Sequence, residues 1–91
     1  MSTGQIPTNL RLLLIFEEVT AAGVPLTPSA IGEALDLPKP TIHRLLQTAE
    51  AQGFLQRDVD GRSFGPGPRL NRLALNTISS HRLRTARLAI L

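Results

Sequence analysis

Ninety-one residues, 42% of them hydrophobic, suffice for one small domain with a modest core and exclude two independently folded ones. With no Trp or Tyr and three Phe the core must be aliphatic, and the absence of Cys excludes a disulfide framework, a thiol nucleophile and a thiolate metal site. The net charge of +3 is unevenly spread, residues 1–36 balancing at −3 and residues 37–91 at +6, which suits a polyanionic partner better than an acidic small substrate. Anionic membrane surfaces also attract basic helices. The apolar run Leu12 to Phe16 is nevertheless too short to span a bilayer, and no basic segment precedes it as in a signal peptide. The expectation is a soluble, cytoplasmic protein without a membrane partner.

Residues 1–8 read as a polar arm, after which Pro7 blocks an earlier helix and Thr8 or Asn9 can cap one that runs to Ala22 and stops at Gly23. On that helix Leu12, Ile15, Phe16 and Val19 share a face, while Leu10, Leu13 and Leu14 lie nearly opposite, around Glu17 and Ala21. A single core cannot use both faces. The second stripe therefore needs the chain's own C-terminal helix or a second subunit.

Val24-Pro25-Leu26 is a short extended link, and Thr27 caps a second helix with Pro28 at its first position and Leu26 able to staple onto Ile31. Ile31, Ala34 and Leu35 are expected to face inward. Asp36-Leu37 is then the only connection to the next helix, so the two must cross steeply, as in a helix-turn-helix. Gly32 would allow close approach of the two helices, and Asp36 must take the turn, with positive φ a possibility that Asp tolerates.

The stretch Pro38 to Phe54 organises the chain. Pro38 and Pro40 mark a helix start, Gly53 a left-handed stop, and Ile42, Leu45, Leu46 and Ala49 form one buried stripe. The opposite face carries Pro40, His43, Arg44, Gln47 and Thr48, flanked by Lys39 and Thr41. Arg and Lys pair with guanine edges, Gln with adenine and Thr with a phosphate or a thymine methyl, so this face suits a DNA major groove. The plainer reading is a surface helix whose polar face is only solvated.

Beyond it, Phe54 to Asp58 and Arg62 to Phe64 read as two short strands around Val59-Asp60-Gly61, with Arg57 and Arg62 flanking the hairpin tip, within reach of phosphates or a minor groove. Gly65-Pro66-Gly67-Pro68 is expected to break structure. A fourth helix follows with Leu70, Leu73, Ala74 and Thr77 on one face and Arg69 and Arg72 away from it. Ser79-Ser80 suggests an interruption before a last amphipathic segment aligned on Leu83, Ala86 and Ile90. That segment runs uncapped into Leu88-Ala89-Ile90-Leu91, as in a fragment of a longer protein.

These elements predict a mainly α fold with a small β-hairpin, a winged helix-turn-helix followed by a linker helix. Residues 10–78 resemble the N-terminal DNA-binding domain of IclR-family transcriptional regulators in the stretches LTPSAIGEALDLPKPTIHRLLQTAEAQGFLQRD, DGRSF and GPRL. The resemblance implies a DNA-binding domain over residues 1–66, a linker helix over 67–80 and the start of an effector-binding domain over 81–91. It also implies a homodimer on a pseudo-palindromic DNA operator, with the helix at 38–52 in the major groove, the wing at 55–64 on the backbone or minor groove, and a small-molecule effector, often an aromatic or organic acid, on the remaining C-terminal domain. The candidate DNA contacts are Thr27, Ser29, Lys39, Pro40, Thr41, His43, Arg44, Gln47, Arg57 and Arg62. The candidate dimer contacts are Leu10, Leu13, Leu14, Leu70, Leu73 and Thr77. The chain departs from the family pattern at Asp36, often Gly; at Pro40, often Ser; and at Pro66, where Leu is usual. Two other classes compete. An enzyme would need acid–base groups in a working arrangement, and His43, His81 and the scattered carboxylates form no catalytic or metal-binding spacing, so neither a cofactor nor a metal is expected. A winged helix used only for protein contact would more plausibly carry an apolar or acidic face where this chain has Lys39, Arg44 and Gln47.

Overall fold

The computed structural model describes residues 6–90, with side chains described for 6–81. A single 3-10 turn, Thr8–Leu10, leads into α1, Arg11–Ala22; α2 is Pro28–Leu35, α3 Lys39–Ala51, β1 Leu55–Arg57, β2 Phe64–Pro66 and α4 Pro68–Ile90. The first five residues of the expected polar arm, and the Leu83, Ala86, Ile90 stripe, lie outside the described residues or side chains.

One core, aliphatic except for Phe64, joins the four α-helices and both strands. Ile15 and Val19 of α1, Ile31 and Leu35 of α2, Ile42, Leu46 and Ala49 of α3, Leu55 and Phe64 of the hairpin and Leu70 of α4 are all buried. Leu12, Phe16 and Leu45 pack partly against them, so the inward faces of α1 and α3 match the apolar spacing. Two inward assignments change. Leu14 also packs partly on this core instead of belonging to the outward stripe, and Ala34, expected inside, is exposed. An eight-residue α2 exposes the side opposite Ile31 and Leu35, and Ala34 falls outside the strip that α1 and α3 cover.

Local chemistry sets the helix ends. Thr27 accepts a hydrogen bond from the Ala30 N–H at 3.2 Å with Pro28 in the first turn, as expected. Asp36 takes φ 54 and ψ 48, a left-handed cap, and the Leu37 N–H returns to the Gly32 carbonyl at 3.1 Å. A methyl added at Gly32 would meet the Leu37 carbonyl oxygen at 3.4 Å and Ile42 Cγ1 at 3.5 Å, ordinary contacts. Space therefore does not demand glycine there. At the end of α3 the Gly53 N–H donates to Glu50 and the Phe54 N–H to Ala49, while Gly53 takes φ 82, a Schellman stop. Neither Thr8 nor Asn9 caps α1. Its lead is the 3-10 turn, in which the Leu10 N–H reaches the Pro7 carbonyl at 2.9 Å, and Gly23 ends the helix with φ 72 as expected.

The hairpin register is Leu55 with Pro66, Gln56 with Gly65 and Arg57 with Phe64. The second strand thus starts two residues later than the sequence suggests, and Arg62 and Ser63 belong to the turn. Pro66 is accommodated as the last residue of this edge strand, where a missing donor costs little. Leu26 forms a bridge to Phe64, its N–H and carbonyl pairing at 3.0 and 2.8 Å, so the extended link supplies a third edge that the sequence reading missed.

The glycine–proline run separates two elements as expected, β2 ending at Pro66 and α4 starting at Pro68, and it does so as ordered backbone. The Gly67 N–H donates to the Phe54 carbonyl at 2.9 Å, and a side chain on Gly67 would collide with the Gly53 carbonyl and lie 3.0 Å from the Leu55 carbonyl carbon. Only glycine lets the two backbones pass. Pro68 then starts α4, which continues through Ser79 and Ser80 without the expected interruption. Serine lowers helix propensity by only about 0.5 kcal/mol relative to Ala, too little to end a helix alone. After Leu70 every described side chain of α4 is exposed. The helix leaves the body, and the molecule measures 51 × 33 × 21 Å.

Candidate nucleic-acid interface

Burial of Ile42, Leu46 and Ala49 turns the other side of α3 outward. Lys39, Pro40, His43, Arg44 and Gln47 are all exposed there, and Thr41 is half-buried at the edge. The structure brings these residues onto one continuous surface. Thr48 is exposed too, but its hydroxyl donates to the Arg44 carbonyl at 3.0 Å.

The N-terminus of α2 stands beside α3. Ser29 is exposed, and the Thr27 hydroxyl accepts from Ala30 while keeping its own proton to donate. Ser29, Gly32, Glu33, Asp36 and Lys39 line a shallow groove of about 340 Å³ between the two helices. Glu33 and Asp36 give this edge an acidic border that the sequence reading passed over. It bounds the cationic surface on one side.

The wing is held by side chains. Asp60 Oδ1 accepts from the Arg62 N–H at 2.9 Å and the Ser63 N–H at 3.0 Å, and Oδ2 accepts from the Ser63 hydroxyl at 3.0 Å. Those two backbone donors, Arg62 first, hold the Asp60 carboxyl below the usual aspartate range. Gly61 takes φ 73 to close the turn, and its N–H reaches the Asp58 carbonyl at 2.9 Å. Arg62 is left exposed at the tip, beside a fully exposed Val59.

Arg57 is occupied differently from what its position in the sequence suggests. Its Nη2 and Nε donate to Glu50 Oε1 and Oε2 at 3.0 and 3.2 Å, its Nη1 donates to the Gly61 carbonyl at 3.1 Å, and its Cζ lies 4.7 Å from the centre of the Phe64 ring. The hydrogen bond from Arg57 lowers the pKa of Glu50, and the same bond raises that of Arg57. Only Arg62 of the two wing arginines has no side-chain hydrogen bond or ion pair among the described residues.

The outward apolar residues divide. Leu10 and Leu13 remain 41% and 52% exposed, and Leu73 is 51% exposed, so among the described residues these apolar side chains of α1 and α4 do not cover each other. Leu70 is buried in the core with α1, α2, α3 and the hairpin. Thr77 is exposed, its hydroxyl donating to the Leu73 carbonyl at 2.8 Å, and Leu75 and Ile78 add exposed apolar surface that the sequence reading did not single out. Arg69, expected to point away, packs on the body instead: its Cζ lies 4.5 Å from the Phe54 ring centre, and Phe54 stacks on Phe16 with centroids 5.7 Å apart.

The family model of the IclR helix-turn-helix domain matches residues 10–59. The chain is 34% identical over all of its 91 residues to the probable transcriptional regulator SauR of Cupriavidus necator, covering 36% of that protein. Its fold is similar to an IclR homolog complexed with 4-hydroxybenzoate from Microbacterium hydrocarbonoxydans, with a TM-score of 0.71 at 32% identity over 87% of this chain and 32% of the other. It is also similar to the Agobacterium tumefaciens repressor BlcR, with a TM-score of 0.68 at 31% identity over 82% of this chain and 30% of the other. The chain spans about a third of the length of these relatives.

Proposed function

The chain belongs to the IclR family, and from that premise we propose that it binds double-stranded DNA as a sequence-specific transcriptional regulator, with α3 in the major groove. The observation that carries this reading is the row Lys39, His43, Arg44 and Gln47, exposed along a helix whose other side is locked in the core. Arg44 and Gln47 are the base readers; Thr27, Ser29, Pro40 and Thr41 meet the adjoining backbone, and the wing reaches a phosphate or minor groove through Arg62. The exposed face of α3 is cationic and amide-bearing, not apolar, which argues against a module used for protein contact alone. The protein is not an enzyme on this reading; it acts in the cytoplasm by occupying its operator.

Residues 1–66 form the DNA-binding domain, 67–80 the linker portion of α4, and 81–91 lead into an effector-binding domain. Leu10 and Leu13 of α1, with Leu73 and Thr77 of α4, are exposed surfaces for a second copy, and a two-fold dimer would read a pseudo-palindromic operator with half-sites about 34–36 Å apart. The effector is a small organic acid bound beyond the linker, a reading supported by the 4-hydroxybenzoate complex of the Microbacterium hydrocarbonoxydans relative. Titration with random duplex DNA at low salt tests the proposal. Binding that weakens steeply as salt rises is the expected result, and no binding at low salt overturns it.

A further inference from the structure

The Glu50–Arg57 pair joins two elements that approach the proposed DNA surface from different directions. Glu50 lies in the last turn of α3 and Arg57 ends β1. The bidentate bridge therefore ties the reading helix to the wing, and the third bond, to the Gly61 carbonyl, reaches the wing's own turn. Beneath the guanidinium is Phe64, a buried core residue that pairs with Arg57 across the hairpin. Helix, strand, turn and core thus meet at one side chain. The carboxylate cancels most of the cation's field, so the pair offers a duplex little net charge.

We infer that Glu50 and Arg57 are positioning residues that fix the wing against α3, so that Arg62 and the face around Arg44 meet one duplex together. The inference rests on the DNA-binding reading above. It predicts effects opposite to those of charge alone. A carboxylate beside a polyanion repels it, so Glu50→Gln would tighten binding if only charge mattered; loss of the bidentate bridge loosens the wing and weakens binding. Likewise, lysine keeps the charge of arginine but not its planar fork. A phosphate contact would largely survive Arg57→Lys, whereas the clamp would not.

The test compares the parent with Glu50→Gln, Arg57→Lys, Arg57→Ala and Arg62→Ala on a selected cognate duplex over a salt series, and follows backbone amide order at residues 58–63 by NMR in the free proteins. Glu50→Gln and both Arg57 variants should each weaken binding by about two- to fivefold, the range of an exposed ion pair, with a more mobile wing, and Arg57→Lys, which keeps the pair's charge, should do so with an unchanged salt slope. Arg62→Ala should lower the slope by about one unit. Circular dichroism shows whether each variant is folded. Tighter or unchanged binding by a folded Glu50→Gln, an unaltered wing, or parent-like binding by Arg57→Lys overturns the inference. A parent that binds no duplex even at low salt overturns the DNA-binding reading itself, and is told apart because no variant then has a slope to compare.

Discussion

Arg69 of α4 donates from its Nη1 to the main-chain carbonyl of Gln52, 3.1 Å away and 17 positions earlier in the chain. Its own N–H bonds the Gly53 carbonyl at 3.0 Å, and its guanidinium covers Phe54. The start of α4 is thereby fastened to the end of α3. Arg69→Ala removes the side-chain bond and the ring contact but not the backbone one, and should lower unfolding stability by about 1 kcal/mol. Urea denaturation with an unchanged m-value checks it. No shift in midpoint would mean that the backbone bonds and Gly67 hold the junction alone.

Asp36 has φ 54, a conformation that costs a side-chain-bearing residue roughly 1–2 kcal/mol and glycine much less, while glycine adds about 0.5–1 kcal/mol of chain entropy. Removing a carboxylate from the negative end of α2 also helps. Asp36→Gly should therefore stabilise the domain by about 0.5 kcal/mol, and Asp36→Val, which cannot adopt this turn easily, should destabilise it. Thermal melts of the two variants read the difference directly. Equal melting temperatures for both would contradict the strained turn.

Because the folded-state pKa of Asp60 is depressed, its contribution to wing order is fully present above the unfolded aspartate pKa and is lost as pH falls through the lower folded value. The Arg62 and Ser63 amide resonances should move together in an acid titration, with a midpoint below the usual aspartate range. Glu50 has the same sign, from its bond to Arg57. In Asp60→Asn the transition at Arg62 and Ser63 should vanish. A midpoint at the ordinary aspartate value would mean that the turn's hydrogen bonds do not persist in solution.

Direct readout by Arg44 has its own signature. Paired with a guanine, Arg44→Ala should cost about 1–3 kcal/mol on the cognate site and relax preference at one base position, measured by competition among single-substitution duplexes. Uniform weakening on all sequences would assign Arg44 to phosphate alone.

Assembly is read from mass. Leu13→Glu places a charge in the exposed apolar surface of α1, and by sedimentation with and without cognate duplex it should shift the chain toward monomer. One parent monomer per duplex, with the variant indistinguishable from it, would remove α1 from any dimer contact.

The parts of the fold written in neighbouring residues were legible in sequence. Thr27 before Pro28, Asp36 in the two-residue link, Pro38 ahead of α3 and Gly53 after it each specify a backbone state through their own chemistry, and the chain adopts all four. The Lys39 to Gln47 surface followed because burying one side of a helix exposes the other. What escaped depends on chain segments meeting in space. Arg57 reads as a free cation until Glu50 is known to lie beside it, and Arg69 reads as a solvent residue until Phe54 is brought beneath it. The Ser79-Ser80 interruption failed for another reason, since a weak local preference does not stop a helix that neighbouring turns extend.

An unbroken α4 has a mechanical meaning. At about 1.5 Å per residue its 23 residues make a lever arm of about 35 Å, pivoted where Gly67 and Arg69 grip the end of α3. A sideways displacement of about 5 Å at the far end is a tilt of roughly 8°, which shifts atoms one turn from the pivot by under about 1 Å. Motion is geared down and force geared up along the arm. Any coarse swing delivered to the distal end would reach the Gln52 carbonyl as a fine adjustment in the pitch of α3.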